Sequence, residues 1–284
     1  MSTNIAVADR DARMSQYNDP MSSPFFLVDA FTEHPFAGNP AGVCLPADDR
    51  DHLWMQAVAA EMNQAETAFL RLRADGDWDL RWFTPAIEVD LCGHATLASA
   101  HVLWETGRGS RGRPVRFHTR SGVLTCTAVK GRIEMDFPAE PASAIESPAE
   151  EAFAFGASPV FVGRNRMDML VVLNSAEAVR KLNPDMNQVA KIKARGVIVT
   201  ARSDKPDADF VSRFFAPQSG VAEDPVTGSA HCCLAPYWRD VLGKDELIGH
   251  QVSKRGGYVA VRCAGGRVIL GGTAVTVVEG SLRS

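Results

Sequence analysis

The sequence predicts an α+β protein of two similar halves in pseudo-two-fold relation, each a mostly antiparallel sheet rolled around a central buried helix. Three observations predict it: a repeat of geometry-fixing residues, two helices with no charged face, and a run of short strands around them. Cys92-Gly93-His94-Ala95 is echoed by Thr227-Gly228-Ser229-Ala230 after 135 positions (93 to 228), and Arg120-x-Gly122 and Gly131-Arg132-Ile133 return as Arg255-x-Gly257 and Gly266-Arg267-Val268 at that offset. Arg81-x-Phe83-x-Pro85 matches Arg213-x-Phe215-x-Pro217 at an offset of 132 (81 to 213), so the second copy carries three extra residues in the loop before its helix. That loop holds Glu223 and Asp224. Gly, Pro, Phe and Arg fix backbone geometry or anchor packing, so agreement at these positions points to duplicated structure.

In chain order, residues 1–24 are expected to form a disordered tail, being polar and without periodicity. Phe25 to Phe31 and Ala41 to Leu45 read as strands flanking the loop Pro35 to Pro40. Asp51 to Asn63 reads as an amphipathic helix with Leu53, Met55, Val58, Ala59 and Met62 as its apolar stripe. Glu66 to Leu70 and Asp79 to Phe83 follow as strands, the second stopped by Pro85. The helix from Gly93 carries no formal charge through Trp104, and a helix apolar all round is buried all round.

Its copy, Ala230 to Trp238, shares that character, with Pro236 expected to kink or end it. Further strands are expected at Val115 to Phe117, Val123 to Val129, Arg132 to Phe137, Val160 to Val162 and Met169 to Leu173. Others follow at Val197 to Ala201, Tyr258 to Arg262, Val268 to Leu270 and Ala274 to Val278. The halves divide as 25–145 and 146–284, joined by the Ala-, Pro-, Glu- and Ser-rich stretch between Pro138 and Pro159, with the last strand able to return to the first half. Gly107-x-Gly109-x-x-Gly112 has the spacing of a dinucleotide loop but follows a helix instead of a strand, so it reads as a helix end.

With 284 residues, 30 Lys and Arg against 34 Asp and Glu, and no basic run, nucleic acid is excluded as a partner. No apolar stretch reaches membrane-spanning length and no secretory leader is readable, which together suggest a cytoplasmic protein. Six cysteines sit mostly in apolar runs and fit free thiols in a reducing compartment. Neither Cys-x-x-Cys nor His-Glu-x-x-His occurs, so spacing gives no metal site.

Chemistry concentrates at a few positions. Glu66 is a lone acid among small and apolar neighbours where helix passes to strand. It is either a desolvated proton shuttle or an ordinary surface or capping residue. Asp224 precedes the second buried helix, where it either serves a site or favours the helix dipole while Thr227 caps. His94 opens the first buried helix, where the dipole favours its neutral ring. Cys92 precedes that helix, a place where a thiol becomes acidic, though buried thiols also simply pack. The helix starts at Gly93 and at Gly228 and Ser229 present free amides and partial positive charge, suited to a carboxylate or an enolate-like oxygen. Ser229 lacks the Gly-x-Ser-x-Gly elbow of a hydrolase, and His231, Cys232 and Cys233 read as core.

Five motifs in order, Asp29-Ala30-Phe31 with Gly38-Asn39-Pro40, Asn63-Gln64-Ala65-Glu66-Thr67, Arg81-x-Phe83-Thr84-Pro85, Cys92-Gly93-His94-Ala95-Thr96 and Glu223-Asp224-Pro225-Val226-Thr227-Gly228-Ser229-Ala230, resemble the phenazine-biosynthesis PhzF-like isomerase family. The resemblance runs from Phe25 to the C-terminus. It implies a diaminopimelate-epimerase-like fold, an active site between two similar domains, a homodimer, and no cofactor or metal. It also implies Glu66 as the acid/base that moves a proton between carbons of a small carboxylate-bearing substrate, with His94 and Asp224 beside it. Gly93, Gly228, Ser229, Cys92 and Asn39 would then bind substrate. Cys92 before Gly-His departs from the phenazine enzyme itself and points to another branch.

Two rivals remain. Related racemases place a thiol before the glycine in both halves; here the pair is Cys92 and Thr227, and a threonine hydroxyl is too weak an acid for two-thiol racemisation. The Cys/Thr pair resembles a dehydratase branch of the proline-racemase relatives, so dehydration or epimerisation of a hydroxy or amino acid through Cys92 is one alternative. A non-catalytic carboxylate-binding protein is the other.

Overall fold

The computed structural model describes residues 23–145, 155 and 159–283; the expected tail up to residue 22 and residues 146–154 and 156–158 of the expected junction lie outside them. The chain forms two compact units interleaved in sequence. One holds the described residues up to Asp29, Pro40–Ala128 and the chain from Ala274; the other holds Ala30–Asn39 and Val129–Thr273.

The first unit is built from β1 (Ser23–Ala30), β2 (Asn39–Cys44), α1 (His52–Met62), β3 (Glu66–Leu72), β4 (Trp78–Phe83), β5 (Glu88–Val89), α2 (Gly93–Glu105), β6 (Val115–Thr119) and β7 (Gly122–Val129). Strand β1 pairs with β2, β2 runs parallel to β3 with Ala41 opposite Glu66, and β3 pairs antiparallel with β4. The short β5 turns back on the end of β4, β6 lies parallel to β4, and β7 closes a hairpin with β6.

Helix α1 starts where Asp51 accepts a bond from the Trp54 amide and stops at Asn63, which takes a left-handed conformation with φ 50°. Its buried side packs Ala59, with Trp54, Met55, Val58 and Met62, on Phe69, Phe83 and Cys44. Leu53, expected in that stripe, is 76% exposed; it lies one position before the packed face, and Trp54 takes its place. Every residue of α2 from His94 to Trp104 is buried, as its uncharged sequence requires. Its hydroxyl groups Thr96 and Ser99, and Thr106 just after its end, each donate to the carbonyl four residues back. Gly107 follows with φ 72°, so the glycine-spaced segment is the end of this helix and no phosphate loop.

The second unit repeats the plan. It contains β8 (Arg132–Pro138), β9 (Ser143–Ala144), β10 (Phe161–Arg164), β11 (Met169–Val172), α3 (Ala176–Lys181), α4 (Met186–Val189), β12 (Val197–Arg202), β13 (Phe210–Ala216), β14 (Val221–Asp224), α5 (Gly228–Leu242), β15 (Glu246–Gln251), β16 (Gly257–Ala264) and β17 (Arg267–Gly272). Strand β11 is parallel to β12, β12 antiparallel to β13, β14 turns back on β13, β15 is parallel to β13, and β16 forms a hairpin with β15. This is the order of β2 to β7, pairing for pairing. The strands after the repeats change units: β8 pairs along its length with β17, and β18 (Ala274–Leu282) pairs with β1.

Pro236 does not end α5, which continues to Leu242. A proline leaves the carbonyl four residues earlier without its helical donor. Here the Glu140 amide donates to the Cys232 carbonyl at 3.0 Å, so nothing is lost by continuing. No helix among the described residues is long and apolar enough to cross a membrane.

Candidate active site

The left-handed turn at Asn63 reverses the chain after α1 and delivers Glu66 as the first residue of β3. Its carboxylate Oε2 lies 3.3 Å from Nε2 of His94, with the glutamate side chain 22% exposed and the histidine side chain 8%. On the other side of the ring, His94 Nδ1 is 3.5 Å from the Cys92 sulfur. The three side chains thus form a row, carboxylate, imidazole, thiol, assembled by the strand start and the helix start that the sequence singled out. Cys92 occupies the N-cap position in an extended conformation, and its thiol makes no capping bond to the helix amides. The first-turn amides of α2 are therefore left to other acceptors, in a region of partial positive charge. One ligand-capable atom from each of Glu66, Cys92 and His94 falls within 4.8 Å of the other two.

The second unit gathers Asp224, Asn39, Thr227 and Gln251. Asn39 is fully buried and its amide donates to Asp224 Oδ1 at 2.9 Å and to the Val226 carbonyl at 2.9 Å. Asn39, expected to bind substrate, supports the Asp224 carboxylate through the first of these bonds. Its own loop is held by Arg255, which donates to the Gly38 and Ala37 carbonyls. Gly38 has φ 65°, and a Cβ there would stand 2.1 Å from the Ala30 carbonyl oxygen, so only glycine permits this approach. Thr227 holds the N-cap position of α5, but its hydroxyl donates to Asp224 Oδ2 at 2.5 Å and does not cap the helix. Gln251 completes the turn, accepting from the Thr227 amide and donating to the Asp224 carbonyl. Both buried helices therefore begin without a side-chain cap.

Strand register identifies what Asp224 replaces. Trp82 faces Val89 across β4 and β5, and Phe214 faces Asp224 across β13 and β14. Asp224 is the counterpart of Val89, while the extra residues of the second copy are taken up by the tight turn Pro217–Ser219 and Gly220. The acid therefore stands at a position the two copies share, and not inside the insertion itself.

Sequence reasoning missed several supports. Glu88 and Glu223 are each gripped by the arginine of the repeated Arg-x-Phe motif. Ser229 accepts from Arg195 at 3.0 Å, and Arg195 is held by Asp168, whose side chain has no exposed surface. Arg195 and Asp168 have no partner in the repeat pattern, and Gln251 is one polar residue at a strand end, so the only signal for any of them was polarity in apolar surroundings.

The remaining thiols are unsuited to proton transfer. Burial pushes Cys44, Cys232 and Cys233 up to about 12, and raises Cys126 as well. His231 donates Nδ1–H to the Thr227 carbonyl at 2.8 Å, and burial lowers it to about 4, so it is a neutral core residue. All six cysteines are free.

Residues 28–280 match the family model for phenazine biosynthesis-like proteins. An uncharacterized isomerase of Halalkalibacterium halodurans is 50% identical across 92% of this chain and 99% of its own length. The crystal structure of a phenazine biosynthesis PhzF-family protein from Enterococcus faecalis superposes with a TM-score of 0.88 at 40% identity, covering 92% of this chain and 99% of that one. At the level of fold alone, a hydroxyproline epimerase from Agrobacterium vitis aligns with a TM-score of 0.59 at 10% identity over 93% of this chain and 94% of that one. The chain belongs to the phenazine biosynthesis-like family of isomerases.

Proposed function

We propose that the protein moves a proton between carbons of a small carboxylate-bearing substrate, with Glu66 as the acid/base. The observation that supports this reading most is the 3.3 Å approach of the Glu66 carboxylate to His94 beside an uncapped helix start. Glu66 as carboxylate takes a proton from a carbon next to a carbonyl, carboxyl or double bond. The electron pair shifts into the conjugated system, and Glu66 as the acid returns the proton to another carbon. The amides opening α2 stabilise the negative charge that builds on oxygen between the two steps. His94, with Nε2 3.3 Å from the Glu66 carboxylate and Nδ1 3.5 Å from the Cys92 sulfur, stands between the two groups and ties the carboxylate to the thiol. Asp224, fixed by Asn39 and Thr227, is assigned to a substrate amine or hydroxyl. The proton carriers are side chains of the chain itself, so the proposed reaction needs no cofactor; a homodimer in the cytoplasm completes the reading.

Candidate amino and hydroxy acids incubated in deuterated water and followed by NMR test this. The wild type should place deuterium on carbon with movement of a double bond, and Glu66→Gln should not. Wild-type protein that exchanges no carbon-bound proton while both forms bind the same carboxylates would replace the isomerase mechanism with simple binding. A second reading rests on the 3.5 Å contact between Cys92 and His94, which suits a thiol acting as base in epimerisation or dehydration. Loss of hydroxyl, or label at the α-carbon without double-bond movement, abolished by Cys92→Ala, would favour it.

A further inference from the structure

Glu66, Cys92 and His94 combine three ligand types, a carboxylate, a thiol and an imidazole, on two fixed elements: the first residue of β3 and the first residues of α2. One donor atom of each lies within 4.8 Å of the other two. A four-coordinate Zn2+ with bonds of about 2.0–2.3 Å sets its ligand atoms roughly 3.5 Å apart. The two contacts use opposite ring nitrogens, Nδ1 at 3.5 Å from the sulfur and Nε2 at 3.3 Å from the carboxylate, and a cation takes only one of them. From that nitrogen one separation already fits, and the other two, within 4.8 Å, close by about 1 Å each on this scale through rotation of the His94 and Glu66 side chains.

We propose that Glu66, Cys92 and His94 form a three-ligand site for a thiophilic divalent cation of the Zn2+ type, whose binding occupies the proton carrier and switches the isomerase off. The cation displaces the Cys92 thiol proton to solvent and forms bonds to sulfur, to one ring nitrogen and to a carboxylate oxygen, leaving the fourth position to water or to a substrate carboxylate. Sulfur and nitrogen ligands select Zn2+, Co2+ or Cu2+ over Mg2+ and Ca2+, which prefer oxygen. A second constellation, Asp75, Asp77 and His118, has no sulfur, is more exposed, and has Asp77 already engaged by Arg116 at 3.0 Å and His118 at 2.9 Å. It serves as the control.

The inhibitory consequence rests on Glu66 being the carrier; the binding does not. The test uses the untagged full chain with Zn2+ or Co2+. In equilibrium dialysis, wild type should retain one Zn2+ that His118→Ala also retains. Cys92→Ala should lower the affinity by more than the roughly 10–100-fold typical of losing an outer-shell partner. Co2+ should give a thiolate-to-metal charge-transfer band in the near ultraviolet, absent in Cys92→Ala. On wild-type protein, where folding of a variant is not in question, Zn2+ but not Mg2+ should protect Cys92 from alkylation, with reaction at the more exposed Cys263 unchanged. Zn2+ affinity equal in wild type and folded Cys92→Ala, a Co2+ complex without the sulfur band, or unchanged Cys92 alkylation would each overturn the site. Binding with all three signatures, in a protein that exchanges no carbon-bound proton, would uphold the site and overturn the isomerase mechanism alone.

Discussion

Arg81 grips Glu88 at two points, Nε to Oε1 at 2.7 Å and Nη2 to Oε2 at 2.8 Å, and Arg213 grips Glu223 in the same way at 2.6 and 2.8 Å. In each unit this pair ties the short returning strand to its neighbour, and that strand leads into the buried helix. Glu88 is 4% exposed by its side chain and takes a third contact from Arg120 at 2.7 Å. Breaking a buried pair from one side strands the other charge, which costs about 3–5 kcal/mol. Arg81→Leu should therefore lower stability by about 3 kcal/mol, the low end because Arg120 remains, read from the urea midpoint. A loss below about 0.5 kcal/mol would show that the pair is merely a surface contact.

The same pair gives an acid limb to the stability curve. The hydrogen bonds from Arg81, with its charge and that of Arg120, hold the Glu88 carboxyl below the ordinary glutamate range. A carboxyl depressed in the folded state adds stability above its unfolded value of about 4.3 and loses it as pH falls through the folded value. Glu88→Gln should start less stable at neutral pH and lose less than wild type on acidification below about pH 4. Parallel curves for the two proteins would remove Glu88 from the acid limb.

Glu66→Gln should leave the fold intact, because the side chain is partly exposed, and should cut proton exchange by about 10²–10⁴-fold, the usual worth of a positioned general base. His94→Asn removes the imidazole beside Glu66, and should retain part of the activity with a shifted pH profile. Exchange rates measured by NMR across pH for both variants check this; a Glu66→Gln protein exchanging at the wild-type rate would end the assignment.

Asn39→Ala removes two bonds from a fully buried amide, leaving the Val226 carbonyl and one Asp224 oxygen short of a donor. Each buried loss costs about 1–3 kcal/mol. The positioning role predicts more than instability: at a temperature where the variant is folded, KM for the substrate should rise with Asp224 displaced, and Asp224→Asn should behave likewise. Steady-state kinetics on both separates this from a purely structural part, which would leave KM unchanged.

Much of this was legible in the chain. Uncharged sequence announced the two buried helices, and repeated Gly, Arg and Phe announced the duplication, because those residues fix backbone or packing and tolerate little drift. The contact of Glu66 with His94 was legible only through the family resemblance and not from local pattern, since it depends on the left-handed Asn63 turn meeting a helix start at long range. Strand β13 was readable only as a motif and β15 not at all: Glu246 to Gln251 has Gly and His interrupting its alternation, and its place was set by pairing with β13 and β16. The move of β8 to the second unit has no sequence signal, because a strand that leaves its unit alternates like one that stays. Pro236 left a kink and an end as alternatives, and the end is averted for a specific reason: a distant amide, here Glu140, reaches the stranded carbonyl.

That last point carries its own prediction. A proline in a helix interior ordinarily costs about 3 kcal/mol or more, so replacing it should stabilise the helix by a comparable amount. In α5 the Cys232 carbonyl already accepts from Glu140, and an alanine amide at position 236 would only share that oxygen. Pro236→Ala should change the urea midpoint by less than about 1 kcal/mol, a small gain in bonding being set against a more flexible unfolded chain. A gain near the full 3 kcal/mol would mean that the Glu140 bond contributes nothing and that the helix is strained at this turn.

His231 sets the stability curve at milder pH than Glu88. Burial lowers its folded value to about 4, against an unfolded value of about 6.5. Below about pH 6.5 the unfolded chain takes up a proton that the folded core refuses, so stability falls with pH down to about 4 and then levels. The full span amounts to about 3 kcal/mol, from about 1.36 kcal/mol per unit. The site is tight, since a Cβ at Gly249 would lie 2.9 Å from His231 Nε2, so a planar replacement is the suitable probe. His231→Phe should flatten the urea midpoint between pH 4 and 6.5 while keeping the Glu88 limb below it; a wild-type slope in that variant would place the titrating group elsewhere.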